Sequence, residues 1–273
     1  MDTEFSVSFG LNEDPALCGA AAAACFARID EIETLLTKFN DTSDVAVIGA
    51  LKDGETALVA PETMDALVAS AQVCAATGGA FDPTVEARTF GELILDVEHF
   101  RVGGKKGPVA LDFGGIGKGS ALDACAKILR SEQFELNNWL LDGGTSTLLA
   151  SGSPTSEETG WPLGVGGVWK NRTKLPTVLR LSDGALSGSG FELRGEHVRD
   201  VRHGGAAVKW AQSWSRARTA AVADALSTAA LALGARELKS ACETLEAQVL
   251  VARSQGRFLD RFRDPLCWFG RTA

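Results

Sequence analysis

Four glycines fall within the six residues Gly114–Gly119, and Lys118 sits among them. The stretch Ala110–Leu122 reads ALDFGGIGKGSAL. An apolar, β-prone lead-in (Val109, Ala110, Leu111, Phe113) runs into the glycines, and the apolar-periodic segment ALDACAKILRS follows at once. That order predicts a strand, a tight loop and then a helix N-terminus. Glycines there let backbone N–H groups approach an anion closely, and the helix start adds partial positive charge. Lys118 would add a full charge. Two readings are open locally: a phosphate or pyrophosphate site, or a tight turn carrying a surface lysine. The spacing is neither that of a Walker A loop nor G-x-G-x-x-G, so neither nucleotide-binding family is implied.

Composition decides which anions are plausible partners. With a net charge of −8 and a pI near 5.0, the chain is a poor match for nucleic acid or an anionic membrane surface. A bound anion must therefore be met by locally concentrated donors. At 273 residues and 45% hydrophobic content, the length fits one large domain or two closely packed lobes, and we read 1–273 as a single domain. The six cysteines are scattered with no C-x-x-C pair, as expected of buried reduced thiols. Tyrosine is absent, so Phe and Trp carry the aromatic packing. No signal peptide, lipobox or membrane-spanning run is legible. The expectation is a cytoplasmic protein, with an exported form lacking its leader left open.

Along the chain, FSVSF at Phe5–Phe9 alternates like a strand, and Ala16–Phe39 has helical spacing. Val45–Leu51 fits a strand or a short helical turn. Pro61–Ala76 predicts a second helix, with Pro61 in its first turn and Thr77–Gly79 at its end. Phe90–Phe100, Val109–Phe113, Leu163–Val168 and Val178–Leu181 are expected strands, Ser182–Gly184 a turn, and Glu246–Val251 with Gly256–Leu259 a closing strand pair. The residues from Asp260 onward read as a tail.

Four further places carry candidate chemistry. Asp82, in TGGAFDPTVEAR, is a turn aspartate or a ligand contact. In NWLLDGGTSTLLA, Asp142 with Gly143 and Gly144 makes a hairpin turn whose backbone donors, through Thr145 and Ser146, could face a ligand. Phe191–Gly205 gathers His197, Asp200 and His203 with three arginines, either a solvated hairpin or a toolkit for phosphoryl chemistry. Asp224 and Thr228 stand four apart in DALSTAALALG, so on a helix they share a face. A carboxylate and a hydroxyl there are hard oxygen ligands suited to Mg²⁺. The alternative is an aspartate serving the helix dipole and a threonine bonding its own backbone. Gly234 is the expected end of that helix.

Together these segments resemble the ApbE family of FAD:protein FMN transferases. MDTEFSV at Met1–Val7 is similar to the family's opening Met-Gly-Thr strand, and Leu35–Asp44 to the segment after its first helix. GGAFDPTV at Gly78–Val85 matches closely. LDFGGIGKG at Leu111–Gly119 resembles D-x-GGIAKG, with Gly117 in place of alanine. LLDGGTSTLLASG is similar to the N-x-GG stretch, GEHVRDVRHG at Gly195–Gly204 has the spacing of HIIDPxTG, and VADALSTAALALG resembles ADALATAL. There are departures. LSGSGF stands where the family usually has T-S-G-D-Y, Val201 and His203 replace the Pro and Thr of HIIDPxTG, and an early asparagine is missing near Ile48–Gly49.

The resemblance implies an α+β, bilobal ApbE-like (T-fold-like) architecture of mixed or antiparallel sheets flanked by helices, with the ligand in a cleft between lobes. It implies FAD as substrate and Mg²⁺ at its pyrophosphate. The FMN half would be transferred to a threonine of an acceptor flavoprotein, releasing AMP. An FAD pyrophosphatase or a non-catalytic FAD-binding protein are the alternatives. By matched position, Asp224, Thr228 and the Gly117 carbonyl would hold the metal. His197, assisted by Asp200, would activate the acceptor. Asp82, Gly114, Gly115, Lys118, Gly143, Gly144, Thr145, Ser187 and Gly188 would contact flavin or phosphates.

Overall fold

The computed structural model describes residues 3–84, 89–144, 146–165, 177–190, 202, 209–252 and 266–270. It is an α+β fold built on a seven-stranded antiparallel sheet with strand order β1-β5-β6-β9-β10-β11-β12. These strands are β1 (Ser6–Phe9), β5 (Trp139–Asp142), β6 (Thr147–Ser151), β9 (Asp183–Gly190), β10 (Gln212–Ala217), β11 (Gln248–Ala252) and β12 (Leu266–Phe269). A three-stranded sheet is formed by β2 (Thr56–Leu58), β4 (Arg101–Gly104) and β3 (Leu93–Asp96), and β7 (Trp161–Val165) pairs with β8 (Thr177–Leu181). The helices are α1 (Pro15–Leu36), α2 (Asp44–Gly49), α3 (Pro61–Ala76), α4 (Gly117–Leu129), α5 (Ala220–Ala230) and α6 (Ala235–Thr244). Among the described residues no helix is long and apolar enough to cross a membrane.

Period-two alternation divides the large sheet between two cores. Leu149, Ala185, Val249 and Val251 face the core shared with the helices. Their neighbours Ala150, Leu186 and Leu250 pack on the other face with Trp161, Leu163 and Leu181 of the β7–β8 hairpin. The helix face is not uniformly apolar. Thr147 on β6, Ser187 on β9, and Ser213 and Ser215 on β10 all turn to that side and are fully buried. Ser213 and Ser215 donate to the Ser227 and Ala223 carbonyls of α5. Small hydroxyl residues thus let α5 lie close on the sheet and satisfy their own polar groups on its backbone.

Several expectations change in detail. Val109–Phe113 joins no ladder; it runs as irregular chain into the glycine loop, tied by the Asp112 N–H to the Pro83 carbonyl at 2.7 Å. Of the two readings of Val45–Leu51 the helical one holds, as α2 at Asp44–Gly49, capped by the Ser43 side chain on the Ala46 N–H at 3.0 Å. Phe90–Phe100 is a 3₁₀ turn followed by β3 and a further turn. The chain bends at Ser182, and β9 already begins at Asp183. Gly234 does not end α5 but opens α6, donating its N–H to Glu237 Oε2 at 2.6 Å. The strand beside β11 is β12, within the expected tail; Gly256–Leu259 lies outside the described residues.

Candidate functional site

The site assembles where α4, α5 and the helix face of β6 and β9 meet. Gly114–Ile116 form a turn whose first amide donates to Asp112 Oδ1 at 2.8 Å, and α4 begins at Gly117. The Asp112 carboxyl is half-buried. Burial alone would raise its pKa, but its bonds to Lys38 Nζ (2.7 Å) and the Gly114 N–H hold it below the usual value. The next turn meets α5 at very close range. A Cβ at position 119 would collide with the Ala220 carbonyl, so only glycine fits there.

That closeness brings α4 to Asp224. Asp224 lies one turn inside α5 and is 3% exposed. A buried carboxylate must be paired and hydrogen-bonded, and this one has four donors. Thr147 Oγ1 and Ser187 Oγ donate to Oδ1 at 3.1 and 3.2 Å. The Gly119 N–H donates to Oδ2 at 3.2 Å, and Lys118 Nζ stands 3.5 Å from the same oxygen. Lys118 is only 13% exposed, so it is not the surface lysine of the plainer reading. Asp224 likewise does not serve the N-terminus of its own helix: its partners come from α4, β6 and β9.

Around this carboxylate lies a chain of hydroxyls. Ser189 Oγ is 2.7 Å from Ser227 Oγ and 3.4 Å from Thr228 Oγ1. Thr228 Oγ1 also donates to the Asp224 carbonyl at 3.3 Å, the backbone bond expected of a helical threonine. Gly115 faces the same hydroxyl: a Cβ there would lie 3.6 Å from Thr228 Oγ1 and 3.3 Å from the Phe81 ring. Lys118, Gly115, Ser187, Asp224 and Thr228 are therefore brought together, and Gly117 stands beside them as the first residue of α4.

The other candidates fall nearby or elsewhere. Asp82 makes a turn, with Oδ1 accepting from the Thr84 N–H and hydroxyl at 2.8 and 2.6 Å. Gly143 and Gly144 form the β5–β6 hairpin, with the Gly143 N–H on the Thr147 carbonyl at 2.8 Å. Gly144 has φ +84° and packs against Thr3, leaving no room for a side chain. The Gly188 N–H donates to the Ser146 carbonyl at 2.7 Å, which ties β9 to that hairpin. Thr145, His197 and Asp200 lie outside the described residues. Arg202, from the same stretch as the last two, donates to Glu237 Oε1 at 2.6 Å and to the Ala232 carbonyl at 3.2 Å. The Gly234 N–H pulls the Glu237 carboxyl down to about 2; burial opposes this, and Arg202 and Lys209 add to it.

Sequence reasoning missed Thr147, Ser189, Ser227 and Asp123. Asp123 stands in the apolar-periodic run ALDACAKIL, where a lone acid is a signal in itself. Its Oδ1 and Oδ2 accept from the Ala220 and Ala221 N–H groups at 2.8 and 2.9 Å, the first two amides of α5.

The donor set is compatible with a divalent cation of the hard kind. Among the described residues no three His, Cys, Asp or Glu side chains gather as a ligand group. A cation here would rest on one carboxylate and neighbouring hydroxyl and carbonyl oxygens. That suits Mg²⁺, which keeps waters and shares substrate phosphates instead of filling an all-protein cage. Of the four contacts to Asp224, the ammonium at 3.5 Å is the longest.

Comparison with known proteins bears on the whole chain. Residues 1–251 match the ApbE family. Among solved structures, the flavin transferase ApbE of Vibrio cholerae superposes with a TM-score of 0.79 at 15% identity, over 98% of this chain and 94% of that one. The apo flavinyl transferase ApbE of Pseudomonas stutzeri gives 0.75 at 20% identity, over 93% and 88%. The ApbE protein of Thermotoga maritima gives 0.70 at 21%, over 92% and 94%. No curated protein sequence matches.

Proposed function

The chain belongs to the ApbE family, and on that premise we propose that it transfers the FMN half of FAD to a threonine hydroxyl of an acceptor flavoprotein. The observation that carries this reading is the buried Asp224 carboxylate, shared between α4's glycine loop and Lys118. A glycine loop at a helix start, a lysine and an acid that can hold a cation together meet the needs of a pyrophosphate.

In the proposed reaction the threonine oxygen bonds to the phosphorus of the FMN half. The bond from that phosphorus to the bridging oxygen breaks, and AMP leaves with the bridging oxygen. Lys118 would neutralise charge on the phosphates, and Gly114, Gly115, Gly143 and Gly144 would let the chain pass close to the ligand. His197 would take the threonine proton, its ordinary pKa near ~6.5 suiting it to neutral pH. Asp200, three residues on, would orient it. Asp224 and Thr228, with the Gly117 carbonyl, would hold Mg²⁺, which when bound supplies charge neutralisation at the transferring phosphoryl. A Gly117 carbonyl already engaged in the helix keeps a second lone pair for this. Asp82, Thr145, Ser187 and Gly188 would complete the contacts to the flavin and phosphates. We propose a cytoplasmic location, with an exported form as the alternative.

The test is to incubate purified protein with FAD and Mg²⁺, with and without a flavoprotein bearing a threonine flavinylation site, and to separate the products by chromatography. AMP together with covalent flavin on the acceptor is the expected result. AMP with free FMN alone would replace the transferase with a pyrophosphatase, and retained FAD without AMP would leave a flavin carrier.

A further inference from the structure

The start of α5 is capped by two elements. The helix's first three amides lack intrahelical partners by geometry. Thr219, the residue before α5, takes the Val222 N–H on its own hydroxyl at 3.4 Å. The other two amides, Ala220 and Ala221, are taken at 2.8 and 2.9 Å by Asp123, which belongs to α4. One turn further along α5, the Gly119 N–H of α4 reaches Asp224 Oδ2 at 3.2 Å. The two helices are thus tied at two points, with the glycine that has no room for a Cβ between them.

Two ties on a rigid pair fix more than contact. The β10 serines hold α5 to the sheet, but without Asp123 its polar ties to α4 would all converge on the one carboxylate of Asp224. The Asp123 bonds, one turn away along α5, set its axial register and rotation against α4. That register sets how far Asp224 stands from Lys118 and from the glycine loop. The geometry points to Asp123 as a positioning residue that holds the Asp224–Thr228 face of α5 in place against the loop carrying Lys118. Asp123 touches none of the groups assigned to substrate or metal, and its effect passes through the α5 backbone. The inference rests on the proposed function for its catalytic consequence, though not for its structural one.

Asp123→Asn tests it. The amide keeps one acceptor oxygen, but its NH₂ group faces the second helix amide. The first readout is hydrogen–deuterium exchange of the metal-free protein, where the Ala220–Val222 amides should exchange faster than in the parent. The second is Mg²⁺ affinity measured by calorimetry, expected to weaken ~10-fold, the lower end for a group one step behind a metal ligand. The third is kinetics at saturating Mg²⁺, where kcat should fall while the KM for FAD stays within about 2-fold, because an interaction realised mainly at the transition state is lost.

Thr219→Ala is the control. It weakens the same helix start without touching the tie to α4, so Mg²⁺ affinity should hold. Equal weakening in both variants would overturn the inference, because cap strength alone would then explain it. Unchanged exchange and Mg²⁺ affinity in Asp123→Asn would overturn it outright. Should that variant not fold, Asp123→Glu, which keeps the charge and displaces it by one methylene, is judged by the same readouts. The exchange readout needs neither metal nor FAD, so the tie between α4 and α5 stands or falls on it whether or not the proposed reaction occurs.

Discussion

Asp224 is the residue on which the site's electrostatics turn. Replacing it with asparagine keeps the volume but removes the charge facing Lys118 Nζ at 3.5 Å, inside a position only 3% exposed. Thr147 and Ser187 can rotate their hydroxyls towards an amide oxygen; Lys118 can only lose its counter-charge. We expect Asp224→Asn to lower the free energy of unfolding by about 1–3 kcal/mol, the range for a disrupted buried polar pair. Metal-dependent AMP release should fall below detection. Denaturant melts and product chromatography on one preparation check both, and full activity would remove Asp224 from the metal site. At this scale the sequence was most readable through spacing. Asp224 and Thr228 share a face because they stand four apart on a helix, and Lys118 reaches Asp224 from the first turn of α4. Ser187 was named through the family resemblance, but Thr147 was not readable as its neighbour, because Thr147, Ser187 and Asp224 converge only after β6, β9 and α5 have packed.

At the scale of elements, the α4–α5 contact makes two demands that can be measured. Gly119→Ala places a methyl group against the Ala220 carbonyl, where nothing flexible can give way. The helices must separate, and overpacking of this kind costs about 1–3 kcal/mol. We expect the thermal midpoint to drop and Mg²⁺ affinity to fall with it. Asp123 makes the second demand, through pH. Burial pushes its carboxyl up to about 6, against the opposing pull of the Ala221 and Ala220 amides and the more distant Lys127 and Arg130. Below the ordinary carboxylate value both folded and unfolded chains are protonated there, and the group is neutral in the balance. As pH rises from there to about 6 the unfolded chain sheds the proton first, so stability falls; above about 6 the loss is constant, at roughly 3 kcal/mol. Urea unfolding at pH 4 and pH 7 should show this as a limb present in the parent and missing from Asp123→Asn. A carboxylate that costs stability when charged fits the positioning role inferred for Asp123. Helices were the elements that sequence periodicity located best, Pro61–Ala76 to the residue. It failed at Val109–Phe113, β-prone residues that pair with no strand among the described residues, and at β10, where Gln212–Ala217 alternates serines with Trp214 and Arg216 and offers little apolar signal.

At the scale of the whole molecule, the large sheet separates stability from chemistry. Thr147, Ser187, Asp224 and Thr228 meet on the helix side, and the β7–β8 pair closes the opposite face around Trp161. Trp161 is 6% exposed and donates its indole N–H to the Ser151 carbonyl at 3.0 Å. Truncating it removes the centrepiece of that second core and leaves the Ser151 carbonyl without its donor. Trp161→Ala should therefore cost about 3–5 kcal/mol of unfolding free energy, as large-to-small changes in cores do. The strands that carry Thr147, Ser187 and Asp224's other contacts are held from the helix side by α4 and α5, whose packing does not involve Trp161. At a temperature well below the lowered midpoint, the KM for FAD and the Mg²⁺ requirement should thus match those of the parent. The two faces share one sheet, so the experiment has a sharp alternative. If Trp161→Ala weakens Mg²⁺ binding as much as Gly119→Ala does, the sheet transmits its far-side packing into the site, and the two cores are one mechanical unit.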